Sequence, residues 1–136
     1  MRKINKIILH CADTPEGRDV KTEEIKRWHT EERGWSDIGY HYVIELDGSL
    51  HNGRDEDIAG AHCKGHNSDS IGVCYVGGSD SEGNPKDTRT DEQKTTLVNL
   101  LSDLIDKHPD AVVFGHRDFS TKACPSFDAK NEYAAI

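Results

Sequence analysis

Three short apolar runs constrain this chain most: residues 3–10, 70–76 and 111–114. Each is too short for an ordinary helix, and each reads as a buried strand. The segment between the second and third runs has a different period. Thr90-Asp91-Glu92-Gln93 matches a capping box, and behind it Leu97, Leu100, Leu101, Leu104 and Ile105 share one helical face. Lys107 and His108 lie near the end of that helix, and Pro109 stops it.

The rest of the chain fills in around these elements. Residues 22–33 read as a second helix, with Thr22 as N-cap, Glu23 and Glu24 in the first turn, and Gly34 where a C-cap falls. Asp47-Gly48, between strand-like residues 40–46 and 49–52, is a hairpin signal. Residues 54–67 are polar and glycine-rich and read as a loop, as do residues 77–89, which are expected to form a mobile surface loop. Residues 128–135 form a short terminal helix in this reading. The fold class is α/β: a single domain over 1–136, with a small mixed sheet covered by helices and loops gathered at one rim.

The formal net charge of -8 argues against a broad nucleic-acid footprint, which needs a basic face. No stretch has the length of a membrane span. The basic start Arg2-Lys3 leads into Ile7-Ile8-Leu9, which reads as strand and not as an export signal, so synthesis is expected to leave the protein in the cytoplasm. On that reading the four cysteines, Cys11, Cys63, Cys74 and Cys124, are free thiols, one of them a metal ligand.

The chemistry concentrates at strand ends. His10 closes the first apolar run. Gly115-His116-Arg117-Asp118-Phe119-Ser120-Thr121-Lys122-Ala123-Cys124-Pro125 follows the last one. Two imidazoles and a thiolate make a zinc triad with a fourth tetrahedral position open, which suits a reactive water. Each residue alone has a plainer reading: a strand-end His as a hydrogen-bonded structural group, Cys124 as a small hydrophobe, Tyr40 as a half-buried strand aromatic, Lys122 as a solvated charge. Cys11 points to the opposite strand face from His10 and reads as core, as does Cys74. Cys63 reads as a bystander thiol, and His29, His51 and His108 as solvated side chains. His62 and His66 share the glycine-rich loop with Asn67, where they either touch substrate or stabilise the loop.

With these residues in place, the chain resembles the type-2 N-acetylmuramoyl-L-alanine amidases, the group that includes the T7-type phage lysozymes and the peptidoglycan recognition proteins. The matching stretches are Ile8-Leu9-His10-Cys11-Ala12, Asp37-Ile38-Gly39-Tyr40-His41-Tyr42, Asp47-Gly48, Gly53-Arg54, Gly60-Ala61-His62, Asn67-Ser68, residues 70–78, Gly115-His116-Arg117-Asp118 and residues 121–128, in family order over nearly the whole chain. The resemblance implies a central mixed sheet flanked by helices, with one Zn2+ per chain held in a surface cleft by His10, His116 and Cys124. It implies Tyr40 and Lys122 as catalytic residues. The implied reaction is cleavage of the amide between the lactyl group of N-acetylmuramic acid and the L-alanine of the stem peptide. Arg54, His62 and Asn67 are expected along the substrate groove, with Trp35 stacking on substrate or packing beneath the sheet.

The expected partner is bacterial peptidoglycan, with no nucleic acid and no membrane, and the expected state is a monomer. A phage or prophage endolysin, reaching the wall after release, is the role this implies. The alternatives are a peptidoglycan-binding protein that does not cut, disfavoured because Cys124, Tyr40 and Lys122 are all present, and a polymerase regulator, disfavoured because only nine residues precede His10.

Overall fold

A computed structural model describes residues 2–136. In chain order the elements are β1 (Lys6–Cys11), β2 (Thr14–Pro15), α1 (Thr22–Arg27), β3 (Tyr42–Ile44), β4 (Leu50–Asn52), β5 (Ser70–Tyr75), β6 (Gly78–Ser79), α2 (Asp91–Lys107), β7 (Val112–Gly115) and α3 (Ala129–Glu132). Five strands form one sheet in the order β4-β3-β5-β1-β7. Only β3–β4 is antiparallel; the other pairings are parallel, so the sheet is mixed as expected. In register, Ile8 lies opposite Gly72 and His10 opposite Cys74.

The two-residue period of a strand divides the side chains between two faces. Ile7, Leu9 and Cys11 of β1, with Ile71, Val73 and Tyr75 of β5, pack against Leu97, Leu100, Leu101 and Leu104 of α2. Each leucine so buried stabilises the fold by about 1.5–3 kcal/mol. The opposite face carries His10, and Val43 there packs with Ile25, Ile38 and Val76 in a smaller cluster that Tyr40 joins. The site is therefore built on the sheet face that α2 leaves uncovered.

The capping box of α2 is formed: Gln93 N–H donates to Thr90 Oγ1, and Thr90 N–H to Gln93 Oε1. The Asp47-Gly48 turn joins β3 to β4, with Gly48 at φ +87°. Other expectations are corrected. Thr22 is not the N-cap of α1. Lys21 takes that position, and the Thr22 N–H and hydroxyl both donate to Glu45 Oε2 at 2.8 and 2.7 Å. The α-helix ends at Arg27 and widens into a π-helical turn over Trp28–Glu32, with Gly34 at φ +71° beyond it.

Residues 77–89 are not wholly a surface loop. Gly78–Ser79 pairs with Thr14–Pro15, and Thr88 and Arg89 are buried. Burial of Arg89 is made acceptable by complete pairing. Its guanidinium donates to Asp87, Glu132 and the Tyr133 hydroxyl and lies 3.4 Å from the centroid of Phe127.

Candidate metal centre and active-site cleft

The parallel strands β1 and β7 deliver His10 and His116 side by side. His10 is the fifth residue of β1, and His116 opens a 3-10 turn directly after β7. Their ring centroids are 4.7 Å apart. The loop after that turn folds back so that Arg117 N–H donates to Cys124 O at 2.7 Å, returning Cys124 to the two imidazoles. One ligand atom from each of His10, His116 and Cys124 falls within 4.8 Å of the others. Among the described residues this is the one such cluster.

The donors suit zinc by type as well as by spacing. Burial, then the charges of His62, His116 and Lys122, push His10 well below the usual imidazole range, so its ring is neutral. His116 is lowered by burial and then by Lys122. The Cys11 thiol, and then burial, push the Cys124 thiol up. A cation bound by the sulfur overcomes that preference, because a coordinated thiol is deprotonated outright. Cys11 N–H already donates to that sulfur at 3.1 Å. Cys11 itself packs in the core, and Cys74 is fully buried, as expected of both.

A cleft of about 600 Å³ opens over the cluster, with Tyr40, Lys122, Trp35 and Arg33 in its walls. Tyr40 lies 5.1 Å from His10 and 5.4 Å from His29, between ring centroids. Burial, followed by the neighbouring thiols, holds its hydroxyl well above the ordinary phenol range, so it carries its proton. Lys122 is exposed at the mouth. A second hollow of about 500 Å³ shares Arg33, Trp35, His62 and Lys122 with the first and adds Lys64 and Asn67. The two make a long open groove. Trp35 is half-buried on its wall, in contact with His29 and with Arg33 above its ring.

The three residues expected along the groove fare differently. His62 is buried beside the cluster, with Nδ1 2.8 Å from His10 Nε2. Burial, and then nearby positive groups, lower it to about 3. Asn67 borders the second hollow, but its Oδ1 accepts the N–H groups of His62 and Cys63, both at 3.0 Å. Arg54 lines neither hollow. Its guanidinium donates to the carbonyls of Ile38, Ala59 and Asp37, a structural pin for two loops. It borders a separate hollow of about 410 Å³, whose central carboxylate, Glu56, is already bonded by Tyr42, Lys107 and His108.

Two further readings of histidines change. His29 is not solvated: its Nδ1 accepts Gly39 N–H at 2.9 Å, and burial, then Arg33 and Arg54, lower it to about 4. His108 is mostly covered, with Nε2 3.2 Å from Glu56 Oε1. The sequence reading did not single out Arg33 or the Cys11 amide. Arg33 had no motif around it, and a main-chain donor leaves no mark in sequence.

The chain is similar to known proteins over nearly its whole length. The family model for N-acetylmuramoyl-L-alanine amidase matches residues 1–127. The endolysin of Enterobacteria phage K11 is 45% identical over 127 residues, covering 93% of this chain and 83% of that protein. The endolysin of Escherichia phage T7 is 45% identical over 124 residues, covering 91% and 82%. Among solved structures, the N-acetylmuramoyl-L-alanine amidase LysC from Clostridium intestinale superposes with a TM-score of 0.80 at 28% identity, over 97% of this chain and 83% of that one. Bumblebee PGRP-SA shares the fold, with a TM-score of 0.81 at 24% identity over 99% and 83%. On the match across residues 1–127 and the identity to the phage endolysins, the chain belongs to the type-2 N-acetylmuramoyl-L-alanine amidase family.

Proposed function

We propose that this protein is a zinc-dependent peptidoglycan amidase of the phage or prophage endolysin type. In this reading it hydrolyses the amide between the lactyl group of N-acetylmuramic acid and the L-alanine of the stem peptide. The observation that carries the reading is the convergence of His10, His116 and Cys124 in a cleft walled by Tyr40 and Lys122. Relatives that are endolysins in name, at 45% identity, support it.

His10, His116 and Cys124 would hold the zinc. When bound, it would supply Lewis-acid polarisation of the scissile carbonyl and a lowered pKa for a water in the open position. Lys122 places an ammonium at the cleft mouth, where it stabilises negative charge growing on the carbonyl oxygen. Its flexible stem lets it follow the substrate in. Tyr40, holding its proton, is a hydrogen-bond donor. In this reading it either hydrogen-bonds the attacking water or assists proton transfer to the departing amine.

Arg33, Lys64 and Lys122 give the groove a cationic rim despite the acidic whole. Asp13, the one carboxylate lining either hollow, is already bonded by Ser79. Such a rim suits a stem peptide bearing carboxylates. Among the described residues no helix is long and apolar enough to cross a membrane.

The test is a digest of purified peptidoglycan by zinc-loaded protein, read by mass spectrometry beside a chelated control. Stem peptides beginning at L-alanine, lost on chelation and restored by zinc, are the expected result. An intact wall with zinc confirmed in the protein would sink the enzymatic reading.

A further inference from the structure

The buried histidine pair extends into a chain of three groups. His10 has one ring nitrogen, Nδ1, on the side of Cys124, 3.9 Å from its sulfur. Its other nitrogen, Nε2, meets His62 Nδ1 at 2.8 Å. The far nitrogen of His62, Nε2, meets Ser70 Oγ at 3.1 Å. A nitrogen that binds a metal must offer a lone pair, so the His10 proton resides on the other one. With His10 Nδ1 as the ligand atom, Nε2–H donates to His62 Nδ1. His62 then carries its proton on Nε2 and donates to Ser70 Oγ. Both rings are then neutral, and each His62 nitrogen has a partner.

The fold makes a fitted place for this ring. Asn67 Oδ1 anchors the main chain at His62 and Cys63. Gly72 lies on β5 opposite Ile8, on the His10 face of the sheet. A Cβ there would lie 2.6 Å from Cγ and Cδ2 of His62, and one at Gly60 would lie 2.7 Å from Cδ2. The His62 ring thus occupies space that two missing side chains leave. It borders both hollows but is mostly buried, with both ring nitrogens already engaged.

We propose that His62 is the positioning residue for His10: it accepts the His10 Nε2–H, fixes the ring with its Nδ1 lone pair toward Cys124 and His116, and is itself held by Ser70. This rests on the zinc reading above and adds to it a partner and a tautomer. Ligand histidines commonly lean on a carboxylate or a carbonyl. An imidazole in that place adds no negative charge, so two neutral imidazoles and one thiolate leave the centre more electrophilic than a carboxylate partner would.

The experiment compares wild type, His62→Leu and His62→Asn in zinc affinity, by competition with a chromogenic chelator, and in thermal stability with the metal removed. Asn can place Oδ1 where His62 Nδ1 stands; Leu offers no acceptor. Zinc affinity is expected to fall about 10–100-fold in His62→Leu, the range for loss of such a partner, and to stay near wild type in His62→Asn. Cobalt-loaded His62→Leu is expected to show a shifted visible absorption spectrum, which a merely structural role would leave alone. Because His62→Leu can fail to fold, 15N-labelled wild type loaded with zinc provides a second readout, with proton attachment at His62 Nε2 and His10 Nε2 expected by NMR. Equal zinc affinity in folded wild type and His62→Leu, or a proton on His62 Nδ1, overturns the proposal. Failure of the zinc reading looks different: wild type itself then takes up no zinc.

Discussion

The main-chain N–H of Cys11 donates to the sulfur of Cys124 at 3.1 Å, across 113 positions in sequence. It ties the end of β1, next to one imidazole, to the loop that follows the other. A donor aimed at sulfur favours the thiolate, and so opposes the upward push that the Cys11 thiol and burial exert on Cys124. Cys124→Ser can keep the hydrogen bond but replaces a soft donor with a hydroxyl that stays protonated. The variant is expected to fold with near-normal thermal stability, to lose at least about 100-fold in zinc affinity, beyond the usual effect of an outer partner, and to release no stem peptides. Metal analysis after dialysis and the wall digest check this. A serine variant that retains zinc and turnover would remove Cys124 from the ligand set.

Lys122 and Tyr40 separate chemistry from metal binding. Lys122 is exposed, so Lys122→Ala should leave folding and zinc content unchanged. If its ammonium stabilises the carbonyl oxygen, kcat on a soluble muropeptide falls about 10²–10³-fold, as for loss of one oxyanion donor. Tyr40→Phe keeps the ring in contact with His10 and His29 and removes only the hydroxyl. It is expected to lower kcat more than it raises KM. Near-normal turnover in either variant would exclude that residue from the reaction.

Local signals made most of the framework legible. The capping box and leucine spacing of α2, the Asp47-Gly48 hairpin and the three apolar runs are each written within a few consecutive residues, and each is present. Strand order was not legible from the residues, because β1 pairs with β5 and β7, some 60 and 100 positions away. The same distance effect explains the misread side chains. Residues 77–89 read as a surface loop because Glu132 and Tyr133, which pair with Arg89 at its end, come over 40 residues later. His29 looked solvated because its neighbours Lys26, Arg27, Glu31 and Glu32 are charged, while its partner, the Gly39 amide, leaves no trace in a side-chain pattern. His10, His116 and Cys124 stood out through position at strand ends, but the bond from His10 to His62 depends on a gap at Gly72 that only packing reveals.

The Arg89 cluster gives a pH-dependent stability. Its hydrogen bonds to Glu132 hold that carboxyl below the ordinary range. A carboxyl depressed on folding contributes stability that is full above its unfolded pKa, about 4.3, and is lost as pH falls through the folded value. Glu132→Gln is therefore expected to cost about 1 kcal/mol at neutral pH, a figure held low because the carboxylate is partly exposed. The gap from wild type should narrow as the pH drops below 4.3. Urea unfolding at pH 7 and pH 3 measures both; an equal gap at the two pH values would contradict the linkage.

Gly72 links the framework to the metal centre. Gly72→Ala places a methyl 2.6 Å from the His62 ring, on the central strand β5, where the backbone has little room to yield. Overpacking of this kind typically costs about 1–3 kcal/mol. The ring is the softer body, so it should move and loosen its bond to His10, with zinc affinity falling by about 10-fold or more. In a His62→Ala background the same methyl enters vacated space. Its stability cost should largely disappear, while zinc affinity, already reduced, should change little. Such non-additivity is the mark of two positions sharing one space. Additive losses in the double variant, in either stability or zinc affinity, would show that Gly72 acts on the site by a route other than the His62 ring.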